Sequence, residues 1–105
     1  MTLRAMSFAS GELATTEAVL YTALALKRTI VNVNCFNRHT LSATVTIKVR
    51  RAGEAARIVV RQALGADETL TYGPVELSEG DAILGLTSVA RVVDYTLSGY
   101  AEVVA

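Results

Sequence analysis

A thiol and an imidazole four residues apart are the side chains of this sequence best suited to covalent chemistry. Cys35 and His39 are its single cysteine and single histidine, and a cysteine activated by a histidine is a common catalytic nucleophile. Cys35, however, shares its alternation with Val31 and Val33, so we expect its thiol to face the core as a small hydrophobe. His39 falls in a turn, where a solvated imidazole is expected. The sequence therefore predicts two structural residues and no Cys–His dyad.

The sequence also offers few side chains that could bind a metal or a cofactor. A zinc site would need carboxylate ligands beside the one cysteine and one histidine, and no standard ligand spacing occurs. Two acidic stretches, Asp67-Glu68 and Glu79-Gly-Asp81, could form a calcium site or a carboxylate pair. We interpret them as turns, because Asp and Gly suit turn backbones and no EF-hand loop is present. We expect no catalytic residue, no metal, no cofactor and no enzymatic activity.

A local group of arginines is the remaining candidate for binding. Arg50, Arg51, Arg57 and Arg61 surround one predicted loop. They could meet an acidic partner surface or a phosphate, since arginine is frequent at protein interfaces. More often such arginines are outward strand residues that keep a sheet edge soluble, and we favour this interpretation. The alternative stays open, so the four are also candidate partner-contact residues.

The composition restricts the partners more firmly than any motif does. The 105 residues fit one domain, and 51% of them are hydrophobic, which excludes a disordered polar chain. Ten basic residues balance ten acidic ones, so neither nucleic acid nor an anionic membrane is expected as a partner. Near-zero net charge also gives little protection against self-association.

No secretory signal or span of about 20 apolar residues is visible, so we expect a soluble protein made in a cytoplasm.

Alternation with period two dominates the chain and predicts strands. In the segment 41–50, Ala43, Val45 and Ile47 share one face with Val49, while threonine and basic residues fill the other. The segment 28–37 alternates similarly. The residues 37–40 between them predict a tight turn, and the two segments together predict a central hairpin.

Weaker alternation elsewhere completes an all-β prediction. Gly73-Pro74 is interpreted as a break, and Pro74 fits only a sheet edge or a strand start. Near the N-terminus, a helix over Glu17–Lys27 is the main alternative to the strand predicted over residues 16–22. The fold class predicted is a single small β-sandwich or jelly-roll-like domain of about seven or eight antiparallel strands, covering residues 16–105, with an N-terminal arm over 1–15. The further predicted strands are 16–22, 57–62, 68–72, 82–87 and 91–102.

The arm is predicted because its apolar side chains have no evident place in the sandwich. Leu3, Met6, Phe8 and Leu13 are spaced without the regular alternation of the later strands. They could cross to an adjacent subunit, or the segment could be a disordered terminus. Leu3, Met6 and Phe8 are therefore also candidate partner contacts.

Three stretches resemble a known group of proteins. Residues 20–38, Leu77-Ser-Glu-Gly-Asp81 and Ser98-Gly-Tyr-Ala-Glu102 are similar to the strands and turns of small β-sandwich proteins from the structural modules of tailed bacteriophages and prophages. One departure is Leu24-Ala-Leu26, where those proteins often have a Pro-Ala-Gly turn.

The resemblance implies a virion component without catalytic residues, made in the host bacterial cytoplasm. A capsid decoration (cement) protein is the first expectation, and a tail, neck, baseplate or fibre part is the alternative. The implied partners are copies of itself, for example a homotrimer, and the major capsid protein or other virion proteins. A carbohydrate-binding module is a further alternative, against which the absence of tryptophan counts.

Overall fold

The computed structural model describes residues 3–25 and 27–103, and within these ranges it contains eight β-strands. No helix that could cross a membrane occurs among these residues. The segment for which a helix was the rival forms a strand instead, which confirms the prediction of a strand near residues 16–22. The strands are β1 (Leu3–Glu12), β2 (Ala18–Thr22), β3 (Lys27–Asn37), β4 (Ala43–Arg50), β5 (Arg57–Leu64), β6 (Thr69–Leu77), β7 (Ala82–Thr87) and β8 (Val93–Val103).

The strands form two antiparallel sheets of four. Sheet 1 has the order β1-β8-β3-β6 and sheet 2 the order β2-β7-β4-β5. The pairs β1·β8, β2·β7, β3·β6 and β4·β5 are those of one long hairpin with its tip between β4 and β5. Rolling that hairpin up adds the pairs β3·β8 and β4·β7 and gives a jelly roll. The predicted fold class is thereby confirmed.

The core lies between the sheets and consists of the inward residues of each strand. Alternation along β3 buries Val31, Val33 and Cys35, and alternation along β4 buries Val45 and Ile47 opposite them. Each is at most 1% exposed, and burying a side chain of this size contributes about 1.5–3 kcal/mol. The remaining large core side chains are Leu13, Val49, Leu64, Leu70, Val75, Leu77, Ile83, Val93 and Leu97.

The predicted central hairpin is wrong. β3 belongs to sheet 1 and β4 to sheet 2, so the connection over residues 38–42 crosses from one sheet to the other. Period-two alternation decides which side chains face inward, but it carries no information about which strand becomes the neighbour. β3 pairs instead with β6 and β8, more than 30 residues away along the chain.

The predicted break at Gly73-Pro74 is also wrong, whereas the predicted edge position of Pro74 is correct. β6 runs from Thr69 to Leu77 through both residues and is an edge strand of sheet 1. A bulge opposite the β3 segment Val31–Val33 accommodates them. Proline lacks the N–H that a central strand must donate, and an edge strand has a side where no donor is needed.

The predicted arm contains a strand of the sandwich. β1 pairs along β8 and forms the second edge of sheet 1. Leu13 is 1% exposed in the core, and the ring of Phe8 packs on that of Tyr21 with centroids 4.9 Å apart. A bulge between Ser7 and Ala9 interrupts the alternation, which is why the sequence pattern concealed this strand.

Candidate interaction surfaces

The structure does not join Cys35 and His39 into a catalytic pair. The Cys35 thiol is buried in the core, and burial raises its pKa to about 12. His39 lies in the loop that follows β3, and its Nδ1 accepts a hydrogen bond of 2.8 Å from the backbone N–H of Leu41. The imidazole thus orders its own loop. Cys35 is a neutral, packed thiol at physiological pH, as its alternation predicted.

Cys35 is expected to resist thiol reagents until the protein unfolds. With a pKa of about 12 and no access from solvent, it should react with DTNB at pH 8 at least about a thousandfold more slowly than an exposed cysteine. The control is Thr96→Cys in a Cys35→Ser background, because Thr96 is exposed on the outer side of the same sheet. Rapid labelling of the folded native protein at Cys35 would contradict this prediction.

The acidic turns use their carboxylates to hold loop backbones together. Asp81 is 7% exposed and accepts hydrogen bonds from the backbone N–H groups of Ser78 (3.0 Å) and Ala52 (2.9 Å). The Arg51 guanidinium donates a third at 3.0 Å. Burial by itself would raise the pKa of Asp81, but these hydrogen bonds and the positive charge lower it below its ordinary value. In the other turn, Glu68 Oε1 accepts from the N–H of Gly65.

No group of three or more potential metal ligands lies together in the described ranges. Both acidic stretches therefore function in the structure as turns, with Asp81 connecting the loop after β4 to the loop after β6.

Asp81→Asn is expected to destabilise the fold by about 2 kcal/mol at pH 7, since charge-assisted hydrogen bonds contribute about 1.5–3 kcal/mol. Because folding lowers the pKa of Asp81, its contribution is complete above the ordinary aspartate pKa of about 3.9 and is lost as the pH falls through the lower folded value. The difference between wild type and variant in urea unfolding should therefore shrink below about pH 4. Asp67→Asn is the control in another turn, with an expected change below about 0.5 kcal/mol. An equal difference at pH 3 and pH 7 would refute the role.

The four arginines predicted as one group are separated by the fold. Arg51 is bound to Asp81 and to the carbonyl of Glu76. Arg50 and Arg61 lie on the outer face of sheet 2, where Arg61 Nε is 3.4 Å from Thr46 Oγ1. Arg57 pairs with the inward Val49 and so lies on the opposite side of β5, because a bulge shifts the register between Ile58 and Val60. Their contact with a partner stays a prediction.

The three N-terminal candidates all belong to β1. Leu3 pairs with Glu102 and Met6 with Gly99; the side chains of both lie outside the described part of the structure. The Phe8 ring is half-buried against Tyr21. Partner contact by these three residues remains a prediction, and β1 presents its free edge at the side of sheet 1.

The outer face of sheet 1, here called face 1, has an uncharged centre. One row across all four strands consists of Ser10, Thr96, Asn34 and Thr71, and the next contains Ser7, Ser98 and Asn32. Phe36 and Tyr100 stand on either side of these rows and are 38% and 48% exposed. A groove beside Phe36 is lined by Asn34, Cys35, Phe36, Thr69, Asp94, Tyr95 and Thr96. Sequence reasoning missed this face, although Asn32 and Asn34 occupy the outward parity of β3.

The outer face of sheet 2, here called face 2, combines apolar and basic side chains. Val19 and Ile58 are each 48% exposed, whereas Leu84 is only 2% exposed although it points outward. Lys48 lies opposite Leu84 in the β4·β7 register, and its Nζ reaches Glu17 Oε1 at 2.5 Å. Since β7 lies between β2 and β4, this ion pair crosses β7, and the aliphatic part of a lysine is well suited to lie over an apolar neighbour.

The strand order of the two sheets defines the class of the fold as a jelly-roll sandwich, and two solved structures have a similar fold. The chain is similar to a protein of the Bacillus endospore appendages, described as disulfide-linked pili, with a TM-score of 0.62 and 13% identity over 99% of this chain and 88% of the other. It is also similar to PirA, with a TM-score of 0.50 and 10% identity over 93% and 92% of the two chains. At these identities the similarity shows the fold alone. No protein-family model and no curated protein sequence matches the chain.

Proposed function

We propose that the protein is a non-enzymatic structural protein that assembles with copies of itself and with other virion proteins of a tailed bacteriophage. Capsid decoration is the role proposed first, in which the protein stabilises the head by protein–protein contacts; a tail, neck, baseplate or fibre position is the alternative. The observation that carries the proposal is the presence of two broad sheet faces on opposite sides of a thin sandwich. Each displays exposed large apolar side chains, Phe36 and Tyr100 on face 1, Val19 and Ile58 on face 2.

The distribution of these side chains supports assembly. Charge is depleted at the centre of protein interfaces and concentrated at their rims, and the two uncharged rows of face 1 lie between charged rows at both ends. The fold shared with the Bacillus appendage protein is one from which pili are built. That protein is described as disulfide-linked, whereas Cys35 is buried here, so the contacts proposed for this protein are non-covalent.

Particles purified by density gradient from cells that carry this gene provide the test. We expect the protein in those particles, in many copies, by quantitative mass spectrometry. Immunogold labelling then separates the roles, because label on the head supports decoration and label on the tail, neck or fibres supports the alternative. Absence from the particles, together with a purely monomeric protein in analytical ultracentrifugation up to millimolar concentration, would refute the proposal.

A further inference from the structure

We propose that copies of this chain associate head to tail, with face 1 of one copy packed on face 2 of the next. The inference rests on the self-assembly proposed above and specifies its interface. It follows from the charge of the two faces, from their apolar content and from the geometry of the sandwich.

The two faces carry opposite net charge. Among the described side chains that are not buried, face 1 has three carboxylates and two guanidinium groups, a net charge of −1; face 2 has three basic groups and one carboxylate, a net charge of +2. Electrostatic complementarity of this kind guides association and excludes wrong registers. The groups on face 1 are Glu12, Glu76, Asp94, Arg28 and Arg38, whereas Glu102 is buried; those on face 2 are Lys48, Arg50, Arg61 and Glu17.

The charge distribution also disfavours the symmetric alternatives. Two copies joined through face 1 would bring two surfaces of charge −1 together, and two copies joined through face 2 would bring two surfaces of charge +2 together. Like charges across an interface cost several kcal/mol. Only face 1 against face 2 joins opposite charges.

Apolar side chains are available at the contact on both sides. Of the six large hydrophobic residues that are well exposed in the described ranges, two lie on each face. The Cα extents of the molecule are 47 × 27 × 17 Å, so its broad side is larger than the roughly 800 Å² per partner that a standard interface buries. The 17 Å dimension is that of two stacked sheets, whose separation is about 10 Å, and the two faces therefore point in opposite directions.

Because the two contacting faces differ, the interface is heterologous. Such an interface does not close on itself in a dimer: repeated contacts form a ring when the rotation between copies permits it and an open filament when it does not. A protein with this property can grow along a particle surface or close into a symmetric oligomer. The ionic part of the contact also makes association weaker at high salt.

β5 offers a matched pair of variants for the first test. Arg61→Glu reverses a charge on face 2, whereas Arg57→Glu makes the same change on the other side of the same strand. In sedimentation equilibrium at low salt we expect Arg61→Glu to weaken association about tenfold or more, and Arg57→Glu to leave it within about twofold of wild type. Equal behaviour of the two variants would overturn the inference.

Thr96 gives the corresponding test of face 1. It is exposed in the uncharged central row, so arginine and glutamate can be introduced there at similar size. Thr96→Arg would place a positive charge against basic face 2 and should weaken association about tenfold, while Thr96→Glu should weaken it less. The reverse order would overturn the assignment of the partner face.

Mixing the two blocked variants decides between head-to-tail and symmetric association. Thr96→Arg retains an intact face 2 and Arg61→Glu an intact face 1, so each should associate weakly alone, and an equimolar mixture should form heterodimers at concentrations where each variant alone is monomeric. Association of either variant alone as strong as that of the mixture would refute head-to-tail packing and leave the proposed function intact. A wild type that never associates and is absent from particles would refute the proposed function itself. Circular dichroism confirms the fold of each variant before these measurements.

Discussion

Asn37→Ala is expected to destabilise the protein by about 3 kcal/mol or more, a large fraction of the 5–15 kcal/mol that stabilises a typical domain. Asn37 ends β3 in sheet 1 and is completely buried. Its side-chain amide donates to the carbonyls of Leu64 (2.9 Å) and Gly65 (3.0 Å) at the end of β5, in sheet 2. Its Nδ2 also lies 3.0 Å from the carbonyl oxygen of Leu41, so the two N–H hydrogens are shared among three carbonyls. One side chain therefore connects the two sheets.

The reason for the large effect is that truncation leaves several backbone groups without partners. The Asn37 Oδ1 accepts the N–H of His39 at 2.9 Å, so four backbone groups depend on this amide. An unsatisfied buried polar group costs about 1–3 kcal/mol, and water can enter to satisfy only those near the surface. The loop over residues 38–42, which carries the chain from one sheet to the other, loses its anchor.

Asn34→Ala provides the matched control on the same strand. Asn34 points outward on face 1, where its Oδ1 accepts the hydroxyl of Thr71 at 3.0 Å in an exposed position. We expect a change below about 0.5 kcal/mol. Urea unfolding monitored by circular dichroism at pH 7 measures both variants. Equal destabilisation by the two substitutions would show that the buried amide does not hold the sheets together.

Gly99→Ala is expected to have an even larger effect and to prevent stable folding. Gly99 lies in β8 opposite Val31, with φ at +154°, and a Cβ placed on it would lie 1.9 Å from the backbone oxygen of Ile30. No rotamer change relieves a collision between Cβ and a backbone carbonyl. Relief requires β3 and β8 to separate in the middle of sheet 1, which breaks ladder hydrogen bonds and opens the core.

Gly53→Ala is the control, because it carries the cost of a positive φ without a collision of the Cβ. Gly53 also has a positive φ, +78°, but nothing lies within 4 Å of a Cβ at this position. An alanine there costs about 1–2 kcal/mol, because L-residues disfavour left-handed backbone angles. Soluble yield and the cooperativity of thermal unfolding should be near wild type for Gly53→Ala and lost for Gly99→Ala. A cooperative Gly99→Ala transition within a few degrees of the Gly53→Ala value would contradict the collision.

The fold class could be predicted because a strand buried on one side alternates apolar and polar residues in the sequence. Val45 and Ile47 alternate with threonine and lysine, and Cys35 follows the parity of Val31 and Val33; the structure buries all of the apolar members. The turn at residues 77–81 was also visible, because the carboxylate of Asp81 accepts from backbone N–H groups that the turn itself exposes.

β1 and β6 were harder to predict because their local patterns are interrupted. A bulge at Phe8 breaks the alternation of β1, and a bulge at Gly73-Pro74 breaks that of β6. An edge strand has only one neighbour, so it tolerates a bulge or a proline that a central strand would not. The same tolerance removes the regular spacing by which a strand is recognised.

The sequence by itself determined that the chain alternates inward and outward side chains along strands, that Cys35 is buried, and that the charges balance. Only the tertiary structure decided which strands become neighbours, and with them the composition of each outer face. Arg57 and Arg61 are four residues apart, yet the register shift in β5 places them on opposite sides of the strand. Alternation is set by each residue and its immediate neighbours, whereas pairing and register are set by contacts between segments far apart in the chain, and a surface composed of four strands exists only after those contacts form.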